Sequence, residues 1–219
     1  MKRITIFAGH YGSGKTNIAV SYALALAKEG KKVTIADLDI VNPYYRTKDS
    51  SEILEKNGIE LISSPYANTN VDVPALPGAA YKITDDRSCS AIIDVGGDDR
   101  GALALGRYAP AIMEENDYEM LAIINRYRPL TPDAESTLEV MREIESACKI
   151  PFTGIVNNSN LGPETTEQDI ISSLAYAEEV SRLSGLPIVM TTALERLCEP
   201  LKEKISNIFP INIFVKAKI

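Results

Sequence analysis

Residues 7–30, "FAGHYGSGKTNIAVSYALALAKEG", decide how the rest of the chain is read. An apolar run from Arg3 to Ala8 enters Gly9 as a strand would. From Lys15 onward, alanine, leucine and lysine make a run of good helix formers that stops at Gly30. Between the two, Gly9, Gly14, Lys15 and Thr16 satisfy the spacing G-x-x-x-x-G-K-[ST]. Glycines let successive backbone N–H groups turn inward, and a helix starting at Lys15 adds its positive end, so the segment is built to hold an anion. The order strand, glycine loop, helix separates it from an ordinary glycine-rich turn. It reads as a phosphate loop for a nucleoside triphosphate, with Lys15 on the β- and γ-phosphates and the Thr16 hydroxyl on Mg²⁺.

Working outward, short β-branched runs alternate with helical patterns. The strand candidates are 3–8, 32–37, 59–63, 90–95, 120–125, 152–157 and 187–191. Helices are expected over 15–29, 101–115, 132–148, 166–184 and 194–207. Such alternation predicts a three-layer α/β fold of the P-loop NTPase kind: a mostly parallel sheet of seven or eight strands with helices on both faces. At 219 residues the chain suits one nucleotide-binding domain over 1–219. The tail "INIFVKAKI" (211–219) reads as a short final strand or a docked end. The proline-rich stretch 64–80 reads as a surface loop or a lining of the site.

Composition narrows the partners. The formal net charge is −7, with 45% hydrophobic and 24% charged residues, and both DNA and anionic membranes attract a Lys/Arg surplus. No nucleic-acid or membrane role is therefore expected. The start "MKRITIFAGH" does not read as a signal peptide, and no apolar run reaches the length of a membrane span. The expected location is cytoplasmic. Cys89, Cys148 and Cys198 form no C-x-x-C pair, so they read as buried thiols rather than a metal or disulfide framework.

Three further clusters suit a phosphate loop. The second strand ends in "ADLDIVNPYYR" (36–46), where Asp37 and Asp39, two apart in a strand, would share a face, although Asp and Asn before Pro43 also favour a turn. The fourth ends in "AIIDVGGDDRG" (91–101). An apolar strand there delivers Asp94 towards a metal, as in Walker B, and Asp94-x-x-Gly97 puts a glycine N–H where it could sense a γ-phosphate. Asp98 and Asp99 read as supporting partners or solvated loop charges. The sixth ends in "GIVNNSN" (154–160), where a carboxamide can pair with adenine, or simply serve turn chemistry. This stretch lacks the Lys and Asp of a guanine-reading N-K-x-D, which favours ATP over GTP. Arg126 and Arg128 in "NRYRPLTPD" (125–133) read as solvated surface groups, with a partner or second substrate as the alternative.

Together these segments resemble the MinD/ParA-like P-loop ATPases, with matches at 9–16, 37–39, 94–97 and 154–160 and a base-side loop after 191. The resemblance implies ATP and Mg²⁺ as ligands, an ATP-dependent homodimer and a client protein whose interaction hydrolysis times. It implies a nucleotide-binding set of Gly9, His10, Tyr11, Gly12, Ser13, Gly14, Lys15, Thr16, Asn17, Gly97 and Asn158, the last on adenine. Thr16, Asp37 and Asp94 would serve the metal. Asp39 would orient the attacking water, with Lys15 as the second catalytic group. One departure stands out: the family's loop reads G-K-G-G-x-G-K-[ST], and its first lysine reaches the partner subunit's phosphates. Here that position is His10, followed by Tyr11. Either His10 protonates on phosphate, or Arg46, Arg100 or Arg107 supplies the charge, or no such charge exists and hydrolysis is slow. An ATPase switch is the first expectation; a small-molecule kinase, an ATP-dependent ligase and a non-hydrolysing adaptor are the alternatives.

Overall fold

The computed structural model describes residues 2–39, 47–63, 81–97 and 99–214, the side chains of residues 48, 99 and 100 apart. Eight strands form its sheet: β1 (Ile4–Ala8), β2 (Val33–Asp37), β3 (Glu60–Ile62), β4 (Ser90–Asp94), β5 (Tyr118–Ile124), β6 (Gly154–Asn157), β7 (Ile188–Leu194) and β8 (Ile208–Ile211). Their order is β3-β2-β4-β1-β5-β6-β7-β8, and every neighbouring pair is parallel. Helix α1 (Lys15–Lys28) follows β1, and the short α2 (Ser51–Lys56) and α3 (Lys82–Asp85) precede β3 and β4.

Parallel strands need helical returns that cover both faces, so the central strands should be apolar throughout. All five residues of β1 and all five of β2 are buried. Alternation along β1 divides the core. Ile4, Ile6 and Ala8 face one layer, packed with α4 (Asp99–Gly106), α6 (Ala134–Cys148) and α8 (Leu174–Ser184) through Leu105, Leu138, Met141, Ala177 and Val180. Phe7 faces the other, with Ile18, Ala19, Ala23 and Leu26 of α1. Because β1 sits between β4 and β5, the strand order reverses there. The crevice at the carboxyl end of β1 is where open α/β sheets take ligands.

Differences from the sequence reading have local causes. The helix expected over 101–115 is two, α4 and α5 (Ala109–Glu115), broken at Arg107-Tyr108, with Pro110 in the first turn of the second. The pattern over 166–184 divides at Ser173 into α7 (Glu167–Ser172) and α8, and α7 opens with a reciprocal capping box between Thr166 and Asp169. The final strand is "IFPI", upstream of the tail. Pro210 argues against a strand in the sheet interior, but β8 is an edge strand, where a missing N–H is tolerated. β7 continues past 191 to Leu194 by pairing with β8, and α9 (Glu195–Leu201) follows directly, so the base-side loop expected there is strand and helix. Residues 64–80, residues 40–46 with Arg46 among them, and residues 215–219 of the tail lie outside the described residues. Among the described residues no helix is long and apolar enough to cross a membrane.

Candidate nucleotide-binding site

The site starts where β1 ends. Gly9 closes the strand, and its carbonyl and that of His10 each accept a hydrogen bond from Lys15 Nζ at 3.0 Å. The Ser13 N–H donates back to the His10 carbonyl at 3.1 Å. Lys15, the first residue of α1, is therefore folded back across the loop and is only 7% exposed. Gly14 precedes α1 in the left-handed region (φ 92°), and a Cβ there would lie 2.3 Å from Asn158 Nδ2, so no side chain fits. Ser13 Oγ is buried and has no hydrogen-bond partner among the described residues. An orphaned hydroxyl, glycine backbone at positive φ and a lysine at a helix start form a donor set that fits a polyphosphate.

The carboxylates meet at the same edge. Asp37 and Asp94 are register partners at the ends of β2 and β4, 4% and 1% exposed. Thr16 hydrogen-bonds Asp94, and Thr47 Oγ1 donates to Asp94 Oδ2 at 2.9 Å. Burial raises the Asp94 carboxyl above the ordinary carboxylate range. Lys15 and the two threonines pull it down, while Asp39 adds to the rise. Asp39 does not share a strand face with Asp37, because β2 stops at Asp37. Its backbone N–H donates to Asp37 Oδ1 at 3.0 Å, which makes 37–39 a turn. That turn sets Asp39 against the 94–97 loop, its Oδ1 3.3 Å from where a Cβ on Gly96 would stand. Thr16, Asp37 and Asp94 offer oxygen donors alone, the ligand chemistry of a hard cation such as Mg²⁺.

Gly97 lies on the phosphate loop itself. A Cβ there would be 2.6 Å from the Tyr11 N and Cα and 3.0 Å from Lys15 Nζ. Tyr11 is half exposed at the mouth. His10 turns its ring onto the loop's own backbone, Nδ1 donating to the Tyr11 carbonyl at 2.9 Å. Asn17, one turn into α1, accepts from the Phe214 N–H at 3.0 Å.

On the far side, Asn158 is buried. Its Nδ2 donates to the Ser13 carbonyl at 2.6 Å, and its Oδ1 accepts from Thr192 Oγ1, so the amide ties the phosphate loop to β7. A cleft of about 410 Å³ opens nearby, lined by Pro163, Leu194, Glu195, Arg196, Asn212 and Ile213.

Of the arginines considered for the charge missing at position 10, Arg107 follows α4. The preceding Gly106 packs on Ala147 and Cys148, at the end of α6 away from the phosphate loop. Arg46 and the Arg100 side chain lie outside the described residues, as do Asp98 and the Asp99 side chain. Sequence reading assigned no site role to Thr47 or Thr192, and took Arg128 as a solvated group with a partner or second substrate as the alternative. Thr47 and Thr192 belong to no motif, and their proximity comes from the sheet order. Arg128 was legible as a cation on a strand-end loop, but its place against Gly12 was not. Cys89, Cys148 and Cys198 are buried free thiols, and the described residues contain no His/Cys/Asp/Glu group able to hold a metal ion by itself.

Comparison with known proteins agrees with this geometry. Among curated proteins, the cytosolic Fe-S cluster assembly factor nubp2 of Xenopus tropicalis is 27% identical over 223 residues, covering 89% of this chain and 80% of that one. Its counterpart in Danio rerio is 28% identical over 226 residues, covering 91% and 83%. Among solved structures, the cell division protein FtsY of Thermotoga maritima superposes with a TM-score of 0.61 at 20% identity, over 88% of this chain and 62% of that one. Chloroplast FtsY of Physcomitrella patens gives 0.60 at 18% identity, over 87% and 58%. The chain thus spans about three fifths of these structures, and they share its fold. Over residues 4–197 it matches the family described as the CobQ/CobB/MinD/ParA nucleotide binding domain. The chain belongs to that family of P-loop nucleotide-binding domains.

Proposed function

We propose that this protein is a Mg²⁺-dependent ATPase that works as a switch on a partner protein. The observation that carries the reading is the convergence on one loop: Lys15 clamped across Gly9 and His10, Thr16 on Asp94, and Gly97 packed on Tyr11 and Lys15. Each residue has a physical role in such a reaction. Lys15 exchanges two backbone carbonyls for phosphate oxygens. The N–H groups of the loop and the start of α1 hold the β-phosphate. Thr16, Asp37 and Asp94 hold Mg²⁺ and its waters, and the ion when bound neutralises charge on the transferring phosphoryl group. Asp39 orients a water towards the γ-phosphorus. As the water oxygen bonds to phosphorus, the bond to the β–γ bridging oxygen breaks. The water's proton passes to Asp39 or to a phosphate oxygen, leaving ADP and inorganic phosphate.

Gly97 would make the reaction a switch. A loop that touches both the phosphate loop and the Lys15 amine must respond when that amine is drawn onto a phosphate. Relatives named as assembly factors support a protein client, and the family resemblance supports an ATP-dependent homodimer. The iron–sulfur part of the relatives' name has no counterpart among the described cysteines, so the proposal stops at a protein partner.

Calorimetry with ATP and Mg²⁺ on wild type and Lys15→Ala, paired with phosphate release, tests the reading. Binding and slow release by wild type, both lost in the variant, are expected. ATP binding that survives Lys15→Ala would sink the proposal. Release lost in Asp39→Asn with binding retained would assign the water-orienting role.

A further inference from the structure

The phosphate loop lacks the lysine of its relatives, and its histidine is turned onto backbone, yet a cation does lie on the loop. It comes from the other side of β1. β5 ends at Ile124, and Asn125 folds the next segment into a tight turn. The Asn125 carbonyl accepts from Arg128 N at 3.2 Å and from Thr131 Oγ1 at 3.0 Å, while its Oδ1 accepts from Tyr127 N at 3.0 Å. Asn125 is fully buried, so the turn is anchored in the sheet rather than free on the surface. It delivers Arg128 to Gly12: a Cβ built on Gly12 would stand 3.7 Å from Arg128 Nε, 3.8 Å from Cζ and 3.9 Å from Cδ. Gly12 has positive φ (73°) and no side chain, which lets the guanidinium lie directly on the crest of the loop.

Arg128 is not solvated at its root. Its Nε is buried and has no hydrogen-bond partner among the described residues. The neighbouring arginine makes the contrast. Arg126 is committed to structure, donating from Nη1 to the Ser172 carbonyl at 2.6 Å and lying 5.8 Å from the Tyr127 ring centroid. A buried guanidinium N–H without an acceptor is uncommon enough to need a reason, and a rigid planar fork suits phosphate oxygens. The second orphan of the loop, Ser13 Oγ, is on the residue that follows Gly12.

We propose that Arg128 supplies in cis, from the β5 turn, a positive charge that engages the polyphosphate of the bound nucleotide. This rests on the nucleotide-binding reading of the loop and adds to it a residue outside every motif. It also implies that the missing lysine is answered within one subunit rather than by the partner.

The test is calorimetric titration of wild type, Arg128→Ala and Arg128→Lys with ATP and ADP at several salt concentrations, alongside the Tm of each nucleotide-free protein. Arg128→Ala should weaken ATP about ten- to hundredfold, as expected for losing charge-assisted bonds to phosphate. The loss should be smaller for ADP, the salt dependence of ATP binding shallower, and Arg128→Lys intermediate. The nucleotide-free Tm should stay level or rise, because the buried unpaired N–H is gone. ATP binding within about twofold of wild type would overturn the inference while leaving the nucleotide reading intact. Weaker binding with a lower nucleotide-free Tm would overturn it in favour of a structural role. Wild type that binds no ATP would overturn the nucleotide reading, and this inference with it.

Discussion

At the residue scale, Asp94 carries opposing demands. Its carboxylate is held dry at the end of β4, and burial raises its pKa against the pull of Lys15, Thr16 and Thr47. A group whose folded pKa is raised favours the fold through its protonated form. That contribution is complete below the ordinary carboxylate pKa of about 3.9 and lost as pH rises through the folded value. At neutral and alkaline pH the ionised carboxylate is thus a cost to the nucleotide-free protein. Asp94→Asn should raise the nucleotide-free Tm at pH 8 by a few degrees, given about 2–4 °C per kcal/mol for a chain of this size. The gain should shrink below pH 5, and Mg²⁺-dependent strengthening of ATP binding should disappear. Scanning fluorimetry from pH 4.5 to 8.5 reads the first part; a lower Tm at pH 8 would refute it. This trade was partly visible in the sequence, since an apolar strand ending in one Asp reads as the carrier of a carboxylate held at the sheet's edge for a ligand. Thr47 was not visible, and Arg128 was visible only as a loop cation, because each reaches the site through tertiary placement: Thr47 opens a short turn at 47–50, and Arg128 arrives across the β1–β5 pair. Asn158 illustrates the same point, for its spacing from Gly154 was legible but its two ties, to Ser13 and Thr192, depend on the register of three strands.

At the element scale, the apolar runs mark seven of the eight strands, six of them to within two residues at either end, because a strand buried on both faces has little freedom in composition. What escaped were features that neighbours decide. β5 begins at Tyr118 because Ile4 pairs there, β7 extends to Leu194 because β8 pairs with it, and Pro210 sits in a strand only because that strand is an edge. The entry to β1 is held in a comparable way. Just before the strand, Arg3 forks onto Glu115 at the end of α5, with NH2 2.6 Å from Oε2. It also donates to the carbonyls of Ile83, Asp86 and Cys89. Both side chains are at most 10% exposed, so removing Arg3 leaves Glu115 dry with only the exposed Arg87, 4.0 Å away, as a counter-charge. Arg3→Met should cost about 3–5 kcal/mol in urea unfolding, the range for breaking a buried pair. The hydrogen bond from Arg3 lowers the Glu115 pKa. Its stabilisation is therefore present above the unfolded value of about 4.3 and is lost as pH falls below it. In Arg3→Met, stability should fall less steeply between pH 5 and 3 than in wild type; an unchanged slope would show that the pair does not carry acid sensitivity.

At the scale of the whole molecule, the carboxyl edge of the sheet gathers the loops that would report nucleotide state. The C-terminal segment is fastened there too. β8 pairs with β7, Asn212 N donates to Ser21 Oγ at 3.3 Å, and Phe214 N donates to Asn17, so residues 208–214 grip the helix that follows the phosphate loop. Among the described residues, three large apolar side chains are exposed on loops of this edge: Tyr11 at 51%, Leu130 at 61% and Leu161 at 49%. Each follows a different strand, and β1, β5 and β6 are neighbours in the sheet, so together they line one stretch of the edge rather than mark one irregular loop. A self-complementary dimer formed across ATP would cover such a row, and two-fold symmetry would count every covered leucine twice. Burying a leucine contributes about 1.5–3 kcal/mol, so losing two per subunit should weaken association at least a hundredfold. In sedimentation velocity, wild type should run as a monomer with ADP and as a dimer with a non-hydrolysable ATP analogue. Leu130→Glu combined with Leu161→Glu should remain monomeric with either nucleotide while binding ATP within about threefold of wild type, since neither leucine belongs to the phosphate loop. A wild type that stays monomeric with the analogue would remove the dimer from the proposed function. A dimer that survives both substitutions would move its interface away from this edge, and with it the reason for Tyr11 to stand exposed beside a histidine folded onto its own backbone.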